Sequence, residues 1–446
     1  MVDLLRRPEG LLLRDVEVDG TRTDVLVSGG SVRRLGTRLA GAPGVSEVDG
    51  RGGALLPGLN DHHLHLLATA AGRTSVACGP PAVRDVGQLR LALSGGTDWI
   101  RGTGYHESVA GPLDRALLDQ LAPQRPVRVQ HRSGALWGLN SPALDALGIT
   151  DAPDGLLWRG DERLRDRERS TWPDLAGLGR DLARTGVLGV TDATPDLAPA
   201  ALDRLVQADL PQRVLLLGAP DDWEPGSASL SRGPRKVLLH DEADLDVPHL
   251  VAVVRAAHAV GRPVAMHTVT QASCVAVLTA LQEAGALEGD RIEHAGVVPP
   301  ELLGQLVDLG VRVVTQPALA AAHGDDHLRD ADPADHDALW RYASLLRAGV
   351  PTAPSTDAPY GPGDVWDVLR AARDRHTPSG RVAGSAERVP VATALAGLLS
   401  PLEDPGGPPR QVRPGVPADL VLLELPLAAS LRDPCRDLVR LVLAAR

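Results

Sequence analysis

The stretch Leu250-Val251-Ala252-Val253-Val254-Arg255-Ala256-Ala257-His258-Ala259-Val260-Gly261-Arg262-Pro263-Val264-Ala265-Met266-His267 holds a helix, a glycine stop and a short apolar strand that ends in a histidine. Asp246 is placed to cap the helix, Pro248 suits its first turn, and Leu250, Val253, Val254 and Ala257 make its buried stripe. Gly261 supplies the left-handed residue that ends it. The same grammar recurs at Leu182–Gly186 into Val187–Thr194, at Leu306–Gly310 into Val311–Gln316, and at Leu345–Gly349 into Val350–Asp357. These strands are apolar throughout, as parallel strands covered on both faces must be, and their polar residues gather at the C-terminal ends.

Lys236, His267 and His294 follow one another at roughly 30 residues, the length of one strand–helix unit in an eight-fold barrel. Counting outward predicts an α/β chain built on a (β/α)8 TIM barrel. Its strands are Leu55–His65, Val187–Thr194, Arg213–Gly218, Lys236–Leu239, Val264–His267, Arg291–His294, Val311–Gln316 and Val350–Asp357. Residues 1–54 instead alternate short strands with turns, as in Val16–Gly20 and Val25–Gly30, and Pro417–Glu424 offers a strand that could join them. The expected division is a small β-sandwich from residues 1–54 and 401–446 around a barrel over 55–400, with an insertion at about 68–181. Asp221–Pro234 and Glu403–Pro414 read as Gly/Pro-rich linkers.

Composition narrows the class. Hydrophobic content of 43% with 23% charged residues is globular. A net charge of -11 argues against nucleic acid or an anionic membrane as partner. The expected partner is a small-molecule substrate, and a homo-oligomer is possible. Cys78, Cys274 and Cys435 are odd in number and form no CxxC, so they read as reduced thiols. Neither a signal peptide nor an apolar run of membrane-spanning length is visible, and the expectation is a cytoplasmic location.

The ends of the predicted strands carry the chemistry. His63 and His65 stand two residues apart, so on a strand both imidazoles reach the same side. His267, His294 and Asp357 each end another strand. Lys236 is the only lysine among 46 basic Lys and Arg residues, and it lies in the apolar run Arg235–Leu239. It is either an incidental leftover of coding bias or a residue that arginine cannot replace. An ammonium has no lone pair for a metal, but a neutral lysine that captures carbon dioxide becomes a carbamate, a long carboxylate able to bridge two ions.

The set predicts a site for one or two divalent ions, zinc by default, held by His63, His65, Lys236, His267, His294 and Asp357. His63 and His65 would hold the buried ion, and His267 and His294 the exposed one. Asp357, Lys236 and His294 are the residues expected to carry catalysis: a metal-held hydroxide attacks, and Asp357 passes its proton to the leaving nitrogen.

Leu56-Pro57-Gly58-Leu59-Asn60-Asp61-His62-His63-Leu64-His65 resembles the first-strand motif of the amidohydrolase superfamily. Arg291-Ile292-Glu293-His294-Ala295, Gln316-Pro317 and Ser355-Thr356-Asp357-Ala358-Pro359 are similar to its family 3 branch, which includes N-substituted formamide deformylases. Trp99–Tyr105, Leu139–Leu144 and Pro417–Leu420 fit the same resemblance. It implies a metal-dependent hydrolase with a β-sandwich made from both termini, and the same six ligands.

The chain departs from the branch in three places. Arg132-Ser133-Gly134-Ala135 stands where the branch carries Asp-Gly-His, a histidine associated with substrate recognition. The lysine strand runs into His240-Asp241-Glu242 where Asp-Gly is usual, and His267 leads into Thr268-Val269-Thr270 where Gly-Asp is usual. The expected activity is hydrolysis of a non-peptide C–N bond in an amide, N-acyl or cyclic amide substrate. A deaminase, an ester hydrolase or a catalytically inactive homologue are the alternatives. Deaminases on this fold pair the fifth-strand histidine with a nearby glutamate, which His267-Thr268-Val269-Thr270 lacks.

Other residues read as less central. Ala322–His327 and Asp335–Asp337 look like a charged, solvated loop past the seventh strand. His62 points away from His63 and is structural, and His258 is a surface or interface residue. Asp192 is a loop anchor or a partner to a ligand, and Arg132, Trp137 and Tyr105 line a pocket or simply pack.

Overall fold

The computed structural model describes residues 3–6, 10–41, 44–95, 99–158, 160, 164, 172–239 and 245–445. The chain is mixed α/β and divides into two compact units, Met1–Leu66 with Leu175–Arg446, and Leu67–Asp174.

The larger unit holds two parallel sheets. One contains β1 (Leu59–Leu64), β2 (Val187–Asp192), β3 (Arg213–Leu216) and a short outer strand Leu230–Arg232, which lies inside a segment expected to be a linker. The other runs β4 (Arg235–Val237), β5 (Val264–Thr268), β6 (Arg291–His294), β7 (Arg312–Thr315) and β8 (Thr352–Pro354) in sequence order. Backbone hydrogen bonds join the two sheets at both edges. Lys236 N donates to Leu217 O at 3.1 Å beyond β3, and Asp357 N donates to His63 O at 2.9 Å on β1. Every residue of β1, β2, β6 and β8 is buried, the polar residues of β1 and β6 included.

The first predicted strand is two strands in two sheets. Leu55–Pro57 pairs antiparallel with Leu420–Leu423, and the chain changes partner at Gly58. Gly58 N donates to Asp419 O and Leu59 N to Gly186 O, both at 2.8 Å. A Cβ on Gly58 would lie 2.7 Å from the Leu188 side chain, so the switch needs glycine there.

Leu55–Pro57 completes a sheet with Asp3–Arg6, Val439–Ala444 and Leu420–Leu423. A second sheet is made from Ser31–Gly36, Thr21–Ser28, Gly10–Val18 and Ser46–Asp49. Leu11, Leu13, Val25 and Val27 from the second sheet share one core with Leu420, Leu422, Leu441 and Leu443 from the first.

Two further expectations are corrected. Residues 317–330 form a helix, Pro317–Asp330, rather than a loop. Proline at its start and an alanine-rich first half favour helix, and its own Ala318, Leu319 and Ala320 are buried. Asp335, His336 and Asp337 fall in the 3-10 turn Pro333–Ala338. His258 is no surface residue: only 13% of its side chain is exposed, and Nε2 lies 3.0 Å from Asp290 Oδ1. Asp290 also accepts Val264 N and Leu287 N at 2.8 Å, which ties the helix Val247–Ala259 to the start of β5 and β6.

The smaller unit carries a five-stranded sheet in the order Leu156–Trp158, Leu136–Leu139, Val127–His131, Ile100–Tyr105 and Val76–Ala77. Tyr105 and Trp137 are core residues there. Tyr105 is fully buried with its hydroxyl on Gly111 O at 2.6 Å, and the Arg101 and Arg128 guanidinium groups lie 5.2 and 5.0 Å from the ring of Trp137. Packing, not pocket lining, accounts for both.

Candidate active site

Alternation along β1 sorts its polar residues onto two sides. Asn60 and His62 turn toward the C-terminal end of the helix Val391–Leu398: Asn60 Nδ2 donates to Ser400 O at 2.7 Å, and His62 Nε2 lies 3.1 Å from Gly397 O. His62 is therefore structural. Burial pushes it down to about 3, with the Arg291 charge adding to the effect, so it is a neutral imidazole. Asp61, His63 and His65 face the other way, toward the C-terminal ends of the parallel strands.

Five of the expected ligands meet there. His63 Nε2 and His65 Nε2 each lie 3.4 Å from Asp357 Oδ1, and His294 Nδ1 lies 3.9 Å from Asp357 Oδ2. The His63 and His294 rings are 4.7 Å apart between centroids, and His294 and His267 are 4.6 Å apart. His63, His294 and Asp357 form a buried group whose donor atoms all lie within 4.8 Å of one another. Lys236, the sixth, is buried near enough that its charge acts on His63, His267 and His294. His240, Asp241 and Glu242, which follow the lysine strand, lie outside the described residues.

The backbone at two of these residues is unusual. His294 has φ 72° and Asp357 has φ 55°, both in the left-handed region, where His and Asp are tolerated better than most residues. Asp61 anchors the Asp357 turn by accepting Thr356 N at 3.1 Å and Thr356 Oγ1 at 2.5 Å. Burial pushes the Asp61 carboxyl up to about 6 against those hydrogen bonds.

Three of the imidazoles have supports of their own. His63 Nδ1 bonds to Glu293 Oε2, His294 Nδ1 lies 2.9 Å from Gln316 Oε1, and His65 Nδ1 lies 3.4 Å from Thr194 Oγ1. Asp192 holds this last loop by accepting Leu66 N at 2.7 Å and Thr194 N at 3.0 Å, which makes it an anchor. Glu293, Gln316, Thr194 and Asp61 were not singled out from sequence. The alternation Arg291-Ile292-Glu293 was the available signal, because it sets two charges on one side of a strand whose neighbours are all buried.

Electrostatics favour neutral imidazoles beside an ionised carboxylate. Burial pushes His63 down to about 3, reinforced by Lys236, and pushes His267 and His294 down as well. Burial alone would raise Asp357, but His65, His63 and His294 outweigh it and hold its carboxyl well below the usual range. Burial also lowers the Lys236 ammonium. His63 Nε2, Asp357 Oδ1 and Lys236 Nζ are all buried and have no hydrogen-bond partner among the described residues. Buried polar atoms are seldom left so, and two of them, His63 Nε2 and Asp357 Oδ1, lie 3.4 Å apart. Neutral imidazole and carboxylate donors fit a divalent cation. At 3.4 Å, the His63 and His65 Nε2 atoms are close enough to Asp357 Oδ1 for one cation to be shared among them.

A model of the amidohydrolase family matches residues 46–444. An N-substituted formamide deformylase from Arthrobacter pascens is 25% identical over 457 residues, covering 83% of this chain and 83% of that protein. Among solved structures, an uncharacterized metal-dependent hydrolase from Pyrococcus horikoshii OT3 superposes with a TM-score of 0.73 at 18% identity, covering 97% of this chain and 99% of that one. A second, from Pyrococcus furiosus, gives 0.71 at 20% identity, covering 93% and 99%. No helix among the described residues is long and apolar enough to cross a membrane.

Proposed function

The chain belongs to the amidohydrolase family, and from that premise we propose that it hydrolyses a non-peptide C–N bond in a small amide, N-acyl or cyclic amide. The observation that carries this reading is the buried group of His63, His294 and Asp357, whose donor atoms all lie within 4.8 Å of one another, with His63 Nε2 and Asp357 Oδ1 left without hydrogen bonds. Strand order and the hydrogen bonds at both sheet edges support β1–β8 as one closed (β/α)8 barrel. The shared core of the two terminal sheets supports one β-sandwich drawn from both ends of the chain.

His63, His65, Lys236, His267, His294 and Asp357 would hold one or two divalent ions, with zinc the default for this donor set. A bound divalent ion activates water and polarises the scissile carbonyl. Lys236 joins the set as a carbamate: its neutral amine forms an N–C bond to carbon dioxide, a proton leaves, and the product is a carboxylate in place of a buried ammonium. Burial, which lowers its proton affinity, favours the neutral amine that this needs.

Asp357 is ionised and surrounded by imidazoles, so it can take the proton of the attacking water and deliver it to the leaving nitrogen as the C–N bond breaks. His294 would orient the substrate carbonyl.

Similarity to a formamide deformylase supports an N-acyl substrate. The acyl group is read no further, because Arg132-Ser133-Gly134 stands where the branch carries Asp-Gly-His. After His267 the chain runs Thr268-Val269-Thr270, and Thr270 is spent capping the next helix, so amide hydrolysis is read ahead of deamination.

The test is metal content per chain by mass spectrometry after preparation with zinc and bicarbonate, alongside amine release from a panel of small amides. Near two ions, falling in Lys236→Ala, with turnover of at least one amide, is the expected result. Fully metallated protein that turns over no amide overturns the activity. A metal content unchanged by Lys236→Ala removes the lysine from the site.

A further inference from the structure

Barrel interiors are ordinarily filled by branched apolar side chains, and a buried charge costs several kcal/mol unless it is paired. Beneath the candidate site this chain buries two. Arg291 is 1% exposed and Glu293 0%, and they stand two residues apart on β6, on the same side of the strand. Arg291 Nε donates to Glu293 Oε1 at 2.5 Å, and one terminal nitrogen donates to Glu293 Oε2 at 3.2 Å and to His62 O at 2.7 Å. Arg291 thus grips both the carboxylate and the backbone of β1. The same Oε2 receives the Nδ1–H of His63.

This arrangement fixes a tautomer. With its proton on Nδ1 and directed at a carboxylate, His63 presents a bare Nε2 toward Asp357 and the strand ends, the nitrogen that has no partner of its own. The other supports are weaker acceptors. His294 leans on the neutral amide of Gln316, and His65 on the hydroxyl of Thr194. Of these three supports, only that of His63 is a charged group. A carboxylate behind an imidazole raises its strength as a ligand and fixes its ring, whereas an amide or hydroxyl does so less.

We infer that Glu293, locked in place by Arg291, is the positioning residue that makes His63 the strongest imidazole ligand of the site. Glu293 touches neither ion nor substrate and acts through His63. The inference rests on the metal-site reading above. It predicts that the ion held by His63 is the last to leave.

The measurement is zinc affinity by competition with a chromophoric chelator, on the full chain, for the parent and Glu293→Gln, with thermal midpoints taken on the metal-free proteins. Glutamine keeps the shape and removes the charge, and the expected loss is about 10- to 100-fold in affinity. Arg291 is then left without its counter-ion. Should the single variant fail to fold, Arg291→Gln with Glu293→Gln removes the stranded charge and is expected to show the same loss.

The parent gives an independent readout: a downfield imidazole N–H resonance that persists after zinc is added, absent in His63→Asn. Zinc affinity within about twofold of the parent in a folded variant, with only the metal-free midpoint lowered, would reduce the pair to core packing and overturn the inference. Loss of that resonance on zinc loading would do the same. A parent that takes up no zinc overturns the metal reading itself, and this inference with it.

Discussion

Asp61 and Thr356 are 295 residues apart in sequence, yet one carboxylate accepts both the backbone N–H and the hydroxyl of the other, at 3.1 and 2.5 Å. Asp61 sits on the first parallel strand and Thr356 just beyond the last, so the pair bolts the two sheet edges together one residue before Asp357. Asp357 N on His63 O at 2.9 Å and His65 N on Ala358 O at 2.8 Å complete the seam. The positions of three candidate ligands, His63, His65 and Asp357, are thus set by backbone hydrogen bonds across a single junction.

Thr356→Val keeps the shape and removes the hydroxyl, leaving Asp61 Oδ2 short of its donor. A buried acceptor left without its donor costs about 1–3 kcal/mol, so a urea midpoint should fall accordingly, while Thr356→Ser stays within about 1 kcal/mol of the parent. The turnover rate should fall with it, because the turn that presents Asp357 loosens. A valine variant as stable and as active as the parent would show that the backbone bonds alone hold the seam.

Asp357 itself separates chemistry from conformation. Asn fits the left-handed backbone nearly as well as Asp but cannot carry a proton. Asp357→Asn should therefore fold normally and lose about 10²- to 10⁴-fold in kcat. Ala and Gly at the same position both abolish proton transfer, yet at φ 55° the glycine variant should be more stable by about 1 kcal/mol or more. Equal stability of the two in chemical denaturation would mean that the turn relaxes once the carboxylate is gone.

How much of this was legible in the chain depends on how local the cause is. Glycine-stopped helices followed by apolar strands mark their own C-terminal ends, so His267 and Asp357 stood out where the parallel strands end. The break at Gly58 did not, because Leu55-Leu56-Pro57-Gly58-Leu59 is apolar throughout and only distant partners, Asp419 and Gly186, divide it. The helix Pro317–Asp330 was hidden by Gly324, Asp325 and Asp326, poor helix formers in its second half. Tertiary packing explains the glycine, where a Cβ would lie 2.7 Å from Thr377 Cγ2. Glu293 was visible as a letter beside His294, but its role is set by His63, far away in sequence.

The pH dependence of stability follows from imidazoles buried in the neutral form. His62 has a folded-state value of about 3 against about 6.5 in an unfolded chain, so between those values the unfolded state binds the extra proton. Its contribution is complete above about pH 6.5 and is lost as pH falls toward 3. His63 behaves alike at about 3, and His267 and His294 are shifted in the same direction. Asp61 opposes them: raised to about 6 from about 3.9, it contributes stability that is present below pH 4 and lost as pH rises through 6. Burial raises the Asp192 carboxyl as well, yet the several histidines outweigh the two aspartates and leave the metal-free protein gaining stability from about pH 4.5 to 6.5, read from urea midpoints. His62→Asn, which keeps a donor for Gly397 O without the titration, should lower that slope by about 1 kcal/mol per pH unit. Zinc loading should steepen the acid limb, since protons compete for the same imidazoles. An unchanged slope in His62→Asn would mean that the buried imidazole does not stay neutral in the folded protein.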